Sequence, residues 1–131
     1  MNGYTADIKA LTEDNSAFRH VLYTGHHLQL VLMALKPGED IGAETHKTHD
    51  QFFRIEKGHG EVEIDGTRSK VKSGSAIIVP AGALHNLTNT GDKLLRLYTI
   101  YSPPNHIDGL LEQRKADALA STEVFDGVAT E

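Results

Sequence analysis

The amino-acid sequence predicts an all-β domain. The middle of the chain consists of short runs rich in β-branched and aromatic residues, and clusters of Gly, Pro, Asn and Asp separate these runs. No amphipathic helical pattern is evident before the C-terminal region. Many short strands at this spacing indicate a sandwich or a barrel, and the spacing alone does not choose between the two.

Eight strands are predicted along the chain, each bounded by turn residues. In order they cover residues 19–24, 29–35, 51–56, 60–64, 69–71, 76–79, 85–88 and 95–101. The strongest turn is Asp65-Gly66, because both positions of a two-residue hairpin turn require a positive φ angle. Residues 60–71 are therefore predicted to form a β-hairpin.

The composition changes after residue 101. Pro103 and Pro104 cannot continue a β-ladder, since proline has no backbone N–H group to donate. Residues 108–120 are predicted to form a short C-terminal helix, with Asp108 as its N-cap. From residue 121 onward we expect loose packing.

Length, charge and cysteine content restrict the possible functions. A chain of 131 residues is expected to form one domain, residues 1–131, with one core. Its net charge of -5 and the lack of a Lys/Arg cluster argue against nucleic-acid or anionic-membrane partners. Without cysteine, any metal must be held by nitrogen and oxygen. No secretion signal or stretch of ~20 apolar residues is evident, so we expect a cytoplasmic protein.

Two segments carry the main functional information. In the first, Glu44 and His46 are two residues apart, which places both side chains on one face of a strand, and Gln51 follows. The second segment is a glycine turn, a strand, a Pro/Gly turn and a histidine at the start of the next strand. It comprises Gly74, Pro80, Gly82, His85 and Asn89. Together the segments could bring one glutamate, two histidines and one glutamine to a single metal ion.

This pair of segments resembles the two motifs of the cupin superfamily, G(x5)HxH(x3-4)E(x6)G and G(x5)PxG(x2)H(x3)N. The second motif matches at every fixed position. The first opens at Gly38 and closes at Gly58, with His46 in the place of the second histidine. Two positions differ, because Glu44 replaces the first histidine and Gln51 replaces the glutamate.

The resemblance implies a fold as well as a site. It covers residues 28–101 and implies a small β-barrel of the jelly-roll type, with residues 102–131 as a tail. The run 50–58 further resembles a subgroup of small single-domain bacterial cupins that are often labelled phosphomannose-isomerase-like. Small cupins are often dimers, so the resemblance also implies a homodimer.

The same resemblance implies that Glu44, His46 and His85 are metal ligands. Gln51 has two alternatives, since its neutral amide oxygen could bind the metal weakly or could line the cavity. Its neighbour Asp50 points to the opposite side of a strand and is expected on a loop or as a hydrogen-bond partner of a ligand. Two imidazoles and one carboxylate suit iron(II) and also manganese, nickel or zinc.

Strand periodicity predicts which side chains line the cavity. If Gln51 points inward, Phe53 and Ile55 share its face, while Arg54 and Glu56 face solvent or a partner subunit. The same alternation predicts a second inward set, with Tyr98 on the opposite face. This set is Leu87, Asn89, Leu95, Leu97, Thr99 and Tyr101.

The remaining histidines have simpler interpretations. His20 is expected to be structural, His26 and His27 to lie in a polar loop, and His59 to be exposed. His49 is expected in a loop at the mouth of the cavity. His106 follows two prolines and either belongs to an ordinary tail or forms a lid over the barrel.

The first functional hypothesis is a metalloenzyme that binds a small oxygenated substrate through two oxygens, as an isomerase, lyase or dioxygenase. Glu44 or Asp50 could then act as a base only where it does not bind the metal. The alternative is a non-catalytic cupin that binds a metal or a small molecule. A metal-free structural relic is the third possibility.

Overall fold

The computed structural model describes all residues, 1–131, and consists of two antiparallel β-sheets that face each other. The strands are β1 Arg19–Thr24, β2 Gln29–Leu35, β3 Glu44–Thr45, β4 Asp50–Lys57, β5 His59–Ile64, β6 Thr67–Lys72, β7 Ala76–Val79, β8 Leu84–Asn89, β9 Leu95–Ser102 and β10 Leu111–Glu112. The six-stranded sheet has the order β10-β1-β2-β9-β4-β7, and the four-stranded sheet has the order β3-β8-β5-β6. The all-β prediction is confirmed, and the architecture is that of a jelly roll.

All eight predicted strands are present. Strands β1, β2 and β7 have the predicted bounds, and the other five extend one or two residues further at one or both ends. The predicted hairpin is also confirmed, because Ile64 pairs with Thr67 across the turn. Asp65 and Gly66 have φ angles of 46° and 84°, as this type of turn requires.

The predicted inward faces of β4, β8 and β9 form the core between the sheets. Phe53 and Ile55 are fully buried beneath the four-stranded sheet. One outward prediction is wrong, since Glu56 is only 9% exposed. A β-bulge interrupts the pairing of β4 with β9 after Ile55, and Glu56 borders a cleft shared with the first helix instead of facing open solvent.

A helix near the N-terminus, α1 Ile8–Asp14, was not predicted. It begins after Asp7, whose side chain accepts a hydrogen bond from the Ala10 N–H group at 3.1 Å. The helix lies against β2, β4 and β9 and buries Thr12 completely. A helix of seven residues depends on such packing for its stability. The apolar periodicity of so short a segment therefore indicates a helix only weakly. Asp7 as an N-cap was the available sequence signal.

The prediction of a helix over residues 108–120 is wrong for its first half. Gly109 has a φ angle of 73°, and β10 follows it and pairs with β1. There Glu112 places a carboxylate oxygen 2.9 Å from the buried guanidinium of Arg19, which a helix at this position would not provide. Only α2 Lys115–Ala120 is helical, with Arg114 rather than Asp108 before its first turn. Neither helix is long and apolar enough to cross a membrane.

Candidate metal centre

Backbone pairing brings the two motif segments together at one end of the barrel. Glu44 on β3 lies directly opposite His85 on β8, so their side chains share the inward face. The N–H group of Gly82 in the Pro/Gly turn donates to the His46 carbonyl oxygen at 2.9 Å. Main-chain hydrogen bonds therefore hold the first segment against the second.

Three predicted ligands converge in this arrangement. One ligand atom from each of Glu44, His46 and His85 lies within 4.8 Å of the others. His46 Nε2 is 3.0 Å from Glu44 Oε2, and the rings of His46 and His85 have centroids 5.4 Å apart. These distances are short enough for one metal ion to contact all three side chains.

The tautomer of His85 follows from its surroundings. His85 is 2% exposed, and its Nδ1–H group donates to the Ala83 carbonyl oxygen at 3.1 Å. Because Nδ1 carries the proton in that bond, Nε2 has a free lone pair. Nε2 is buried and has no hydrogen-bond partner. This arrangement is typical of a metal-binding histidine whose other nitrogen is fixed by a carbonyl.

The orientation of the Gln51 amide is also determined by hydrogen bonds. The Thr99 hydroxyl donates to the Phe52 carbonyl oxygen at 2.8 Å, so its oxygen accepts the bond from Gln51 Nε2 at 3.0 Å. The other end of the amide, Oε1, is buried and has no partner. Gln51 therefore presents an oxygen and not a nitrogen as its free atom.

The free atoms of the site fit a metal ion. Buried polar atoms in proteins normally have a hydrogen-bond partner. Here His46 Nε2, His85 Nε2 and Gln51 Oε1 all lack one, although the first lies near Glu44. Nitrogen and oxygen atoms with free lone pairs suit divalent iron, manganese, nickel or zinc.

Glu44 lies at the rim of the site, where 44% of its side chain is exposed. Burial of the remainder raises the pKa of the Glu44 carboxyl, but the close contact with the His46 ring lowers it, with smaller effects of Arg19 and His106. The net pKa is below the ordinary value for glutamate. Glu44 is therefore a carboxylate at neutral pH, as metal binding requires.

Asp50 and His49, which precede Gln51, do not join the ligand cluster. Asp50 opens β4, and its Oδ1 accepts a hydrogen bond from the Ala81 N–H group at 2.9 Å, which ties β4 to the Pro/Gly turn. His49 lies in the loop before β4, with Nε2 3.0 Å from the Pro104 carbonyl oxygen. Its ring centroid is 5.7 Å from that of His46, in agreement with a place at the cavity mouth.

The last residue of the second motif is structural. Asn89 Nδ2 donates to the carbonyl oxygens of Leu35 and Lys93, both at 2.8 Å, and its Oδ1 accepts from the Gly91 N–H group at 2.9 Å. Asn89 therefore closes the turn after β8. The exposed histidines His26, His27 and His59 are not part of the ligand cluster.

A set of buried polar side chains beside the cluster was not identified as functional from the sequence. Tyr101, predicted only to face inward, contacts His106, and His106 contacts Glu123. His106 is 6% exposed, so it does not belong to an ordinary exposed tail. The prolines before His106 were a weak signal, and the sequence offered none for its partner Glu123.

Residues 31–101 match the cupin domain family. An uncharacterised Bacillus subtilis protein, YrkC, is 45% identical over 126 residues, which cover 92% of this chain and 68% of the relative. An uncharacterised mimivirus protein, L612, is 40% identical over 117 residues, or 86% of this chain and 72% of the relative.

A solved structure shows the same fold over almost the whole chain. The crystal structure of BH2720 from Bacillus halodurans superposes with a TM-score of 0.90 at 42% sequence identity, covering 92% of this chain and 96% of that one. The family match includes β4, β8 and the second motif in full. The chain belongs to the cupin family.

Proposed function

We propose that this chain is a metal-dependent cupin that binds a small oxygenated molecule at a divalent metal ion held by Glu44, His46 and His85. The observation that carries the proposal is the convergence of three ligand atoms within 4.8 Å, two of them on imidazoles whose Nε2 atoms form no hydrogen bond. Gln51 is the fourth member of the proposed site. Its free Oε1 either binds the metal or faces the bound molecule.

The proposed ligand set leaves coordination positions for two oxygens of a substrate. A bound metal would supply Lewis-acid chemistry, which serves isomerases, lyases and dioxygenases alike. The narrower phosphomannose-isomerase-like assignment rests on residues 50–58 alone. A phosphosugar is the less favoured substrate, because its phosphate group needs a free cationic side chain. The inward-facing Arg19 is already paired with Glu112 at 2.9 Å.

A second candidate function is non-catalytic binding of a metal or small molecule. The amide of Gln51 favours it, since a neutral oxygen at this position cannot act as a base in the way a carboxylate can. Both candidates use the same site. They differ in whether the bound molecule is converted.

Metal analysis of untagged, purified protein tests the site that both candidates share. We expect about one equivalent of a transition metal per chain, because one ligand cluster is present. The His46→Ala, His85→Ala double variant is expected to lose it, and the exposed His59→Ala variant is the matched control. If the double variant kept as much metal as the wild type, the proposed site would be wrong.

Oxygen-uptake and product analysis with diketones, catechols and hydroxy acids separates the two candidates. An enzyme is expected to convert at least one compound, and His85→Ala is expected to abolish that conversion. Binding of a compound to metal-loaded protein without any conversion would support the non-catalytic function instead.

A further inference from the structure

A buried polar row extends from the ligand cluster across the six-stranded sheet. Gln51 on β4 lies directly opposite Tyr101 on β9, and Tyr101 lies directly opposite Gln29 on β2. These three side chains are at most 3% exposed. In the next row of this face Thr99, which accepts the hydrogen bond of Gln51, lies between Phe53 and Val31. The row beyond it is wholly apolar, with Ile55, Leu97 and Met33, so the buried polar side chains are concentrated at the metal-binding end.

The row continues through two hydrogen bonds to the C-terminal tail. The Tyr101 hydroxyl is 3.2 Å from His106 Nε2, and His106 Nδ1 is 2.9 Å from Glu123 Oε2. A carboxylate accepts hydrogen bonds, so Nδ1 carries the imidazole proton and Nε2 accepts the phenolic proton. Glu123 thus orients His106 as the aspartate orients the histidine of a serine-protease triad.

The main chain around His106 is held rigidly. Gln29 Oε1 accepts the N–H groups of Asn105 and His106 at 3.1 and 2.9 Å, and Gln29 Nε2 donates to the His106 carbonyl oxygen at 2.7 Å. The second oxygen of Glu123 accepts the Ile107 N–H group at 2.8 Å. The imidazole therefore has a fixed position between a buried phenol and a carboxylate.

The two ends of this chain of groups lie in different environments. Tyr101 borders the proposed metal site, where its ring meets the His46 ring edge-on at a centroid distance of 5.7 Å. Glu123 reaches the surface, with 18% of its side chain exposed. A hydrogen-bonded connection therefore runs from the metal site toward solvent.

We propose that Tyr101, His106 and Glu123 form a proton relay for the molecule bound at the metal. This inference rests on the proposed function. A hydroxyl of the bound molecule gives its proton to Tyr101 Oη while the phenolic proton passes to His106 Nε2. The molecule becomes an oxyanion, Tyr101 stays neutral, and the Glu123 carboxylate balances the imidazolium.

Burial and the charges around the relay keep the His106 ring neutral, so that it can accept a proton. Burial lowers the pKa of His106 and Arg19 on β1 lowers it further, while Glu123 and Glu44 on β3 raise it. The net pKa is below that of a free histidine, so the ring is neutral at neutral pH.

Calorimetry with 4-nitrocatechol, a probe with two adjacent hydroxyls, tests the relay. Binding of the probe to metal-loaded protein is measured in buffers of different ionisation enthalpy, which gives the number of protons released. We expect His106→Gln to release about one proton more than the wild type, because His106 no longer captures one. Tyr101→Phe is expected to behave like His106→Gln, since it removes the phenol that joins the oxyanion to His106 Nε2, and binding then no longer raises the affinity of the imidazole for a proton.

The control variant is His59→Gln, at the opposite end of the barrel, which is expected to release as many protons as the wild type. Equal release by wild type, Tyr101→Phe and His106→Gln would overturn the relay and leave the three residues a structural role. Nitrogen-15 NMR of the His106 ring in metal-free protein gives a test that needs no probe. The relay requires the Nδ1–H tautomer, and an Nε2–H tautomer would overturn it.

The two proposals fail in different ways. If metal-loaded wild type did not bind 4-nitrocatechol, the proposed function would be contradicted, and the His106 tautomer would then decide whether the relay geometry exists. If the probe bound but its proton release were unchanged in the variants, the proposed function would stand and the relay would be wrong.

Discussion

Compared with the cupin motif, this chain differs at two of the four positions of the site. The differences keep one carboxylate but place it at the other position. The cupin motif has a glutamate where this chain has Gln51 on β4, and a histidine where it has Glu44 on β3. The carboxylate therefore lies opposite His85 in the four-stranded sheet and at the exposed rim. The other sheet contributes a neutral oxygen, whose direction depends on Thr99.

The dependence of Gln51 on Thr99 can be measured. We expect Thr99→Val to weaken metal binding about 10-fold, because the amide then loses the hydrogen bond that orients it toward the site. Thr99→Ser keeps the hydroxyl and serves as the matched control. Competition with a chelator of known affinity gives both values, and equal affinities for the two variants would show that Thr99 does not orient Gln51 toward the metal.

Glycine is required at position 58 for two physical reasons. Gly58 has a φ angle of 96°, and a Cβ atom there would lie 2.8 Å from the Leu94 carbonyl oxygen. We expect Gly58→Ala to lower the free energy of unfolding by about 2–4 kcal/mol through backbone strain and steric overlap. Gly74→Ala is the control, because Gly74 has a φ angle of 92° but open space around it.

Gly74→Ala is expected to cost only about 1 kcal/mol. Urea unfolding of both variants checks the comparison. If both variants lost the same free energy of unfolding, the close approach of the Leu94 carbonyl oxygen would contribute nothing to the cost of Gly58→Ala.

At the scale of elements, α2 is attached to the barrel by one ion pair and a few apolar contacts. Lys115 in its first turn binds Asp40, which also accepts a hydrogen bond from Asn86 on β8 at 3.0 Å. Ala118 packs on the core from the same helix. A helix of six residues is not stable alone, so these contacts determine where it forms.

The ion pair gives a prediction with a defined pH dependence. The Lys115 hydrogen bond, followed by that of Asn86, lowers the pKa of Asp40 in the folded state. A lowered pKa stabilises the folded state above the pKa of the unfolded carboxyl, about 4, and this contribution is lost as the pH falls through the folded-state pKa. We expect Lys115→Met to lower the free energy of unfolding by about 0.5–1 kcal/mol at pH 7 and by less at pH 3.

Urea unfolding at both pH values, with the exposed Lys93→Met variant as control, provides the measurement. A difference between Lys115→Met and wild type that did not shrink in acid would assign the effect to packing of the lysine side chain and not to its charge.

At the scale of the whole molecule, the outer face of the six-stranded sheet carries an apolar row. Cross-strand partners place Ile78, Phe52, Ile100 and Leu30 side by side on β7, β4, β9 and β2. Ile78 is 70% exposed and lies on an edge strand. An exposed apolar row next to a free strand edge is typical of a protein interface.

The predicted homodimer is therefore expected to use this face. We expect Ile78→Asp to convert the dimer to a monomer, because the substitution places a charge at the most exposed position of the apolar row. Leu119→Asp replaces a similarly exposed apolar residue on α2 and should leave the dimer intact. Sedimentation equilibrium checks both, and a monomeric wild type or a dimeric Ile78→Asp variant would contradict the prediction.

The strands and most of the proposed ligand set were predictable because their signals are local. Alternation over a few residues identified β1 to β9 except the two-residue β3, and motif spacing identified His46 and His85. The exchange at Glu44 and Gln51 was also visible in the sequence. The free oxygen of Gln51 was not, since its orientation depends on Thr99, which is 48 residues away along the chain.

The sequence by itself determined the all-β class, the strand positions and the segments that could hold a metal. Only the tertiary structure decided which distant groups meet. Arg19 and Glu112, 93 residues apart, form a strand pair where local pattern predicted a helix. Likewise His106 contacts Tyr101 on one side and Glu123 on the other. Such contacts depend on the packing of whole sheets and the tail, because burying a charged or polar group requires a partner wherever the fold provides one.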